Sequence, residues 1–235
     1  MGRLVSSSQG FTLYDAVHLT WLGAFIAAGV MICFIYRRMN EKQKRIAEII
    51  TGVLILALEA AKYIRLICIG EELIYYLPLH LCSFAIYIEF IDSLFSARLT
   101  RELTYSICLP AAAAALLFPG WTDEPVFSFE SFHSFVIHFL LALYPVLLLT
   151  GRKLRPEIKR LPVCFAVTAL AAAGVYLIDR RLGLNYMFLL KPPPGSPLEW
   201  FEKLFGNPGY LLGYVIIAFV LWALMYAPFI IHRKK

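Results

Sequence analysis

The sequence predicts an all-α, polytopic membrane protein: a bundle of seven transmembrane helices that forms a single domain over residues 1–235. Composition is the first reason, because 60% of the side chains are hydrophobic and 16% are charged, whereas apolar residues make up about 45–50% of a soluble domain. The second reason is that the apolar residues form windows of about 20 residues, the length that crosses a bilayer as a helix. The third is the unequal distribution of lysine and arginine between alternate connections.

The predicted spans are separated by charged segments or by segments rich in proline and glycine. The first span is interpreted as retained rather than as a signal peptide, because Asp15 and His18 precede its apolar run and no small-residue cleavage site follows it. The fourth is one of the shortest. The seven predicted spans cover residues 15–36, 46–68, 73–96, 102–119, 131–150, 161–178 and 208–230.

The orientation follows from the basic residues, since cytoplasmic connections hold an excess of lysine and arginine. Fifteen of the 22 basic residues lie in the connections at 37–45, 97–101 and 151–160 and in the tail at 233–235. Five lie on the opposite side, and the last two lie inside the second span. This distribution predicts an outside N-terminus, a cytoplasmic C-terminus and a multi-pass protein of the cell membrane.

The net charge of +6 therefore reflects topology, and membrane lipids rather than nucleic acid are the expected partners. The cysteines show no CxxC pair and no spacing typical of a disulfide framework or a zinc site. Histidines and carboxylates also lack ligand spacing on any one helix, so we predict neither a metal nor a cofactor. The five cysteines are Cys33, Cys68, Cys82, Cys108 and Cys164.

Ionisable residues inside a span are costly, and each is by default a candidate for a functional site. Glu59 and Lys62 are three residues apart in the second span, so they lie on one helical face where they can pair. Two interpretations stay open: an internal ion pair that fixes helix packing, or a pair of substrate-binding side chains.

The third span begins with an unusual polar stretch that contains Pro78, His80 and Cys82. Proline removes a backbone hydrogen bond from a helix, so we expect freed carbonyl groups near Ile74 and Tyr75. His80 and Cys82 lie about 200° apart on an ideal helix. A partner for Cys82 must therefore come from another helix, unless Pro78 unwinds the turn.

His138 in the fifth span is the candidate partner. His133 is expected at the outer membrane edge, and His138 lies about two turns deeper. A cysteine beside a histidine forms a thiolate nucleophile with an adjacent base, whereas a lone histidine in a bundle commonly bonds to a neighbouring carbonyl. The sequence leaves both interpretations open.

The segment 183–192 leaves the sixth span and combines a polar amide, aromatic residues and a lysine before a run of prolines. Such a mixture is typical of a loop at headgroup level. We predict that Asn185, Tyr186 and Lys191 contact the substrate, with Lys191 able to bind a phosphate group as a point charge.

Four segments together resemble the bacterial YwaF-like integral membrane proteins, which are related to the vertebrate transmembrane protein 164 family. They are Leu77-Pro78-Leu79-His80-Leu81-Cys82, Arg101-Glu102-Leu103-Thr104-Tyr105, the helix that contains His138, and Leu184-Asn185-Tyr186-Met187-Phe188-Leu189-Leu190-Lys191-Pro192. The resemblance covers about residues 70–225. It implies a phospholipid acyltransferase that uses a cysteine and a histidine on a neighbouring helix.

By this resemblance the histidine falls on His138, and the cysteine has two possible positions. One is Cys82. The other is the position of Leu79, in which case this chain keeps the fold without a cysteine nucleophile. Under the first reading, Cys82 attacks the lipid, His138 is the general base, and His80 orients the headgroup or stabilises the oxyanion.

Two other functions compete with an acyltransferase or acyl hydrolase. A transporter or small-molecule binder would use Glu59, Lys62, His80 and His138 to line a polar path, but seven spans do not divide into two equal inverted halves. A scaffold protein with a polar core is the third possibility.

Overall fold

The structure is a computed structural model, and it describes residues 10–193 and 195–232. Arg3, Pro194 and the basic tail at 233–235 lie outside the described residues. Every regular element within the described residues is helical. The α-helices are α1 (Ala16–Arg38), α2 (Glu41–Ile69), α3 (Leu81–Phe95), α4 (Arg98–Leu103), α5 (Leu109–Leu117), α6 (Phe129–Thr150), α7 (Leu161–Leu182), α8 (Leu198–Phe205) and α9 (Leu211–His232).

Four helices are long and apolar enough to cross a membrane among the described residues, so the protein is an all-helical membrane protein. The remaining predicted spans fall on helices that are charged, short or interrupted. α2 carries several charged residues, α3 has 15 residues, and α4 and α5 are separated by a π-helical segment. The four candidate spans are Ala16–Arg38, Phe129–Thr150, Ile158–Leu182 and Leu211–Ile231.

The predicted third span, 73–96, is wrong at its N-terminal end. Leu73–Tyr76 forms a 3₁₀ turn, residues 77–80 are irregular, and α3 begins at Leu81. Pro78 explains the difference, because proline has no N–H to donate and disfavours the helical conformation of the residue before it. The polar stretch therefore lies on a non-helical segment instead of on the face of a helix.

The predicted fourth span, 102–119, begins earlier than expected, at Arg98, and changes its pitch. A π-helical segment, Thr104–Cys108, joins α4 to α5 without a break, and Pro110 occupies the first turn of α5. Because the helix continues through this point, Pro110 has no N–H to donate to the preceding turn. π-segments of this kind are rare and often lie at functional sites.

Residue contacts divide the described chain into two compact units. The first unit comprises residues 10–73 and 84–155, and the second comprises residues 74–83, 156–193 and 195–232. Each unit is described separately below.

α6 is the central helix of the first unit. More than half of its span, 56%, is buried, compared with 6% of the α1 span. α1, α2 and α5 pack around it. At one end, Phe11, Leu116, Val126 and Phe135 form a buried apolar cluster.

The second unit consists of α7, α8, α9 and the segment that precedes α3. α8 packs against α9, where Gly213 leaves no room for a side chain beside the ring of Phe201. α7 and α9 also meet through Phe165 and Trp222, whose rings lie edge to face at 6.2 Å. α8 was not predicted from the sequence; it lies between the sixth and seventh predicted spans.

Candidate functional site

Tyr186 ties the two most specific sequence motifs together in the second unit. Its hydroxyl donates a hydrogen bond to the Ile74 carbonyl at 2.6 Å and accepts one from the Leu77 N–H at 2.9 Å. The Ile74 carbonyl was expected to be freed by Pro78, and it is, but its partner is a side chain of the protein. Burial raises the pKa of Tyr186, which keeps the hydroxyl protonated and able to donate.

His80 is held by the same loop. Its Nδ1 accepts a hydrogen bond from the backbone N–H of Met187 at 3.3 Å. Its ring lies edge to face against Tyr186, with centroids 5.1 Å apart. Because an amide N–H can only donate, Nδ1 is the unprotonated nitrogen, and neutral His80 carries its proton on Nε2. The ring therefore presents Nε2–H as a donor.

The turn that contacts His80 has a strained backbone. Met187 and Phe188 both have positive φ angles, 51° and 55°, which non-glycine residues rarely adopt. Two hydroxyls hold this turn: Tyr214 in α9 donates to the Met187 carbonyl at 2.9 Å, and Tyr210 in the turn before α9 donates to the Phe188 carbonyl at 2.7 Å. Persistent strain of this kind is typical of binding and catalytic sites.

Asn185 closes the rest of the loop. Its Oδ1 accepts hydrogen bonds from the N–H groups of Leu190 and Lys191, and its Nδ2 donates to the Lys191 carbonyl at 3.0 Å. The Lys191 side chain is exposed. The predicted binding residues of this loop therefore divide into two kinds: Asn185 and Tyr186 shape it, and Lys191 projects from it.

Cys82 lies in the first turn of α3 and is partly exposed. The turn is closed by the Ser83 N–H, which donates to the His80 carbonyl at 3.0 Å. Because the chain is not helical before Leu81, the angle of about 200° between His80 and Cys82 on an ideal helix does not apply. Leu79, the alternative position for the cysteine, lies in the irregular segment.

In the first unit, Nδ1 of His138 donates a hydrogen bond, whereas Nδ1 of His80 accepts one. Nδ1 of His138 bonds to the Ser134 carbonyl one turn earlier in α6, at 2.7 Å. A carbonyl only accepts, so Nδ1 carries the proton, and Nε2 carries the lone pair of the neutral ring. Trp121 stacks on the imidazole, with centroids 5.1 Å apart and planes inclined by 12°.

Glu59 and Lys62 form the ion pair that their spacing allows, with 2.6 Å between Glu59 Oε1 and Lys62 Nζ. Glu59 is buried. His133 is also buried, and its Nε2 donates to the Leu58 carbonyl of α2 at 3.1 Å. Arg65 pairs with Glu130. These contacts tie α2 to α6.

A second group of buried charges was missed by the sequence analysis. Glu48 is fully buried and bonds to Tyr36 and Lys153, both at 2.7 Å. Asp92 is likewise buried and accepts from Thr100 and Tyr144. The carboxylates were visible in the sequence, but only the fold shows that their partners come from other helices and from the α6–α7 connection.

Glu89, one turn before Asp92 on α3, is also fully buried, and neither carboxylate oxygen has a hydrogen-bond partner among the described residues. Nowhere in residues 10–193 and 195–232 is a group of three or more His, Cys, Asp or Glu side chains arranged to hold a metal ion.

Comparison with known proteins supports the relation to the transmembrane protein 164 family. The family model described as the TMEM164 family matches residues 13–226, which is nearly the whole chain and includes both units. No curated protein and no solved structure matches. The matched range contains His80, Cys82, His138 and the Asn185–Lys191 loop. This chain is an apolar, helical membrane protein, and it belongs to the TMEM164 family.

Proposed function

We propose that the protein transfers or hydrolyses the acyl chain of a membrane phospholipid. Cys82 is the acyl acceptor, His138 is the general base, and His80 donates a hydrogen bond to the oxyanion. The observation that supports this proposal best is the opposite hydrogen bonding of the two histidines. His138 has its lone pair on Nε2, whereas His80 has its proton there.

These are the states that the two roles require. A general base needs an unprotonated nitrogen aimed at the proton that it removes. A group that stabilises an oxyanion needs a fixed N–H donor. Backbone hydrogen bonds at Nδ1 favour one tautomer of each neutral ring before a substrate binds.

Other histidines of the chain differ from His138. His133 donates from Nε2 to a carbonyl of α2, and His18 does the same to the Leu116 carbonyl at 2.8 Å. Both contacts join different helices and so serve packing. Among the histidines whose contacts the structure describes, His138 is the one that bonds from Nδ1 to its own helix.

The proposed reaction proceeds in two steps. The Cys82 sulfur attacks the ester carbonyl carbon while Nε2 of His138 takes the thiol proton; the C–O bond then breaks, and the lysophospholipid oxygen receives that proton. An acyl thioester remains on Cys82. In the second step His138 deprotonates a lipid hydroxyl or water, which attacks the thioester and restores the thiol.

The predicted binding residues take different parts in this proposal. Lys191, exposed on the loop, contacts the lipid phosphate. Asn185 and Tyr186 act through the shape of that loop. Glu59 and Lys62 are paired with each other, so they contact the substrate only when this pair opens.

The proposal also includes the membrane arrangement: one transmembrane domain with seven crossings, an outside N-terminus and a cytoplasmic C-terminus in the cell membrane. The segregation of basic residues supports it. The narrower likeness to YwaF-like bacterial proteins rests on the Pro-Leu-His-Leu-Cys and Asn-Tyr-Met motifs. Reporter fusions at the predicted connections test the number of crossings and the side of each terminus.

The decisive experiment measures acyl exchange and fatty-acid release by the purified protein in phospholipid nanodiscs, with mass spectrometry as the readout. Cys82→Ala should abolish turnover, and His138→Ala should lower it by about 10²–10⁴-fold. Removal of an oxyanion donor by His80→Ala should cost about 10²–10³-fold. Cys68→Ala, at an exposed cysteine, is the matched control and should retain activity.

An acyl adduct that hydroxylamine removes should appear on the peptide that contains Cys82. The Cys82→Ala/His138→Ala double variant should be no slower than Cys82→Ala alone, because residues that act in one step are not additive. Turnover that survives Cys82→Ala contradicts a cysteine mechanism at this position. Absence of lipid turnover, together with a transport activity that Glu59→Gln abolishes, would favour the polar-path alternative.

A further inference from the structure

Trp121 lies beside His138 and has no role in the proposed reaction. It lies in the connection between α5 and α6, and its ring stacks on the imidazole at 5.1 Å. Phe135 packs edge to face against the same indole at 5.2 Å. The Nε1 atom is buried and has no hydrogen-bond partner among the described residues. The stack therefore holds a buried donor next to the proposed base.

An indole Nε1–H can only donate, and buried donors in folded proteins nearly always have an acceptor. The acceptor that fits this position is an oxygen atom supplied by a ligand. The stacked geometry adds a constraint: the indole N–H lies in the plane of its ring, and that plane is nearly parallel to the imidazole plane.

The connection that carries Trp121 is itself held in place. The Phe11 N–H donates to the Thr122 carbonyl at 2.9 Å, and the Glu124 N–H donates to the Trp121 carbonyl at 3.2 Å. Gly10 lies so close to the Thr122 carbonyl that a side chain would not fit. The position of the indole is thus set before any ligand binds.

We propose that Trp121 Nε1–H donates a hydrogen bond to a phospholipid oxygen, either the ester carbonyl or the phosphate, in the site that contains His138. This inference rests on the proposed function for the choice of a lipid as ligand. It makes Trp121 a substrate-binding residue, because it touches the lipid and takes no proton. The donor then holds the lipid beside the base.

Trp21 provides a matched control. It packs against the same apolar cluster, and its ring stacks on Phe135 at 4.9 Å with planes inclined by 12°. Both Trp121→Phe and Trp21→Phe keep an aromatic ring and remove one indole N–H. Only the first should affect the lipid.

The binding test follows the indole N–H signals of the full-length protein, labelled with ¹⁵N at its four tryptophans. The signal of Trp121 is assigned by its loss in Trp121→Phe, and the three remaining signals report whether that variant is folded. Spectra are compared in alkyl maltoside micelles, in nanodiscs of diester phosphatidylcholine and in nanodiscs of the diether analogue, which lacks ester carbonyls.

We expect the Trp121 signal to move downfield in diester nanodiscs relative to micelles, while the Trp21 signal stays in place. A shift in diester but not diether lipid identifies the ester carbonyl as acceptor, and an equal shift in both identifies the phosphate. Trp200, which is 69% exposed, reports the general change of solvent. A Trp121 signal that moves no more than that of Trp200 in either lipid overturns the inference.

Turnover separates this inference from the proposed function. Trp121→Phe should raise KM or lower kcat/KM for acyl exchange about tenfold, as expected for one lost hydrogen bond, and Trp21→Phe should stay within twofold of wild type. Full activity of Trp121→Phe, with Cys82→Ala and His138→Ala inactive, refutes the role of Trp121 alone. A shifted indole in a protein without lipid turnover refutes only the reaction.

Discussion

Replacement of Tyr186 by phenylalanine tests how the two motifs are held together. The hydroxyl makes two hydrogen bonds to the backbone just before Pro78, to the Ile74 carbonyl and from the Leu77 N–H. Phenylalanine keeps the ring, including its edge-to-face contact with His80, and removes both bonds. The turn should therefore open while the packing around it survives.

The size of the effect follows from the groups left without a partner. A lost hydrogen bond costs about 1 kcal/mol net, and more when the abandoned group stays buried. The Ile74 side chain is exposed, so water can reach that part of the turn, and we expect a total of about 1–3 kcal/mol. A local change of about 2 kcal/mol makes the open state roughly 30 times more populated.

Hydrogen exchange measures this opening directly. The Leu77 amide should exchange about 30-fold faster in Tyr186→Phe than in wild type, and amides in α6 should be unchanged. Tyr176→Phe is the matched control in the same unit, because among the described residues the Tyr176 hydroxyl has only a 3.5 Å contact from Arg180. Equal exchange at Leu77 in wild type and Tyr186→Phe would refute this account of the turn.

The hydrogen bonds of the Tyr186 hydroxyl also predict that stability depends on pH. Burial is the main cause that raises the pKa of Tyr186, and the charge of Asp179 adds to it, against an opposing effect of the Leu77 hydrogen bond. A raised pKa in the folded state gives stability that is fully present below the ordinary value of 10.0 and is lost as the pH rises through the folded value. The stability gap between wild type and Tyr186→Phe should therefore shrink above pH 10.0. A gap that widens there would contradict it.

Two further predictions concern the first unit, and thermal unfolding in detergent checks both. Lys153→Met should destabilise by about 1–3 kcal/mol, because it removes the cation 2.7 Å from buried Glu48 while Arg45 stays at 3.5 Å, and Glu48→Gln in the same chain should recover at least half; no recovery would contradict the pairing. Gly52→Ala should cost about 1–3 kcal/mol through collision with Ser93, whereas Gly23→Ala, with no neighbour within 4 Å, should be neutral or stabilising.

Local rules predicted the parts of this protein that depend on neighbours in sequence. The Glu59–Lys62 pair follows from a spacing of three residues on a helix. The freed carbonyl of Ile74 follows from the missing N–H of Pro78. The predicted spans also fall on helices, because apolar windows of bilayer length leave few other ways to satisfy the backbone.

Contacts between distant segments were beyond such rules. Tyr186 and Ile74 are 112 residues apart, and nothing in their spacing indicates that one hydroxyl holds the other segment. Nothing in the sequence around His133 indicates that its partner, the Leu58 carbonyl, comes from another helix. Trp121 gave no signal at all in the sequence, because its stacking on His138 exists only after the α5–α6 connection has folded.

Charge inside the bundle is by itself weak support for a function in this protein. Glu59 pairs with Lys62, and Glu48 pairs with Lys153 and Arg45, all within the first unit. Such contacts persist because a buried carboxylate that loses its cations becomes a costly unpaired charge. Such pairs explain why charges are tolerated in the membrane without requiring a substrate.

The histidines give stronger support, because hydrogen bonding fixes which nitrogen of each ring carries the proton. Nothing in packing alone requires His138 to bond from Nδ1 and His80 to accept at Nδ1. If the rings served only to satisfy the fold, tautomer-sensitive ¹⁵N shifts should change freely with pH without altering lipid turnover. If they serve the chemistry, conversion of His138 to its imidazolium should abolish turnover in parallel with the loss of its Nε2 lone pair.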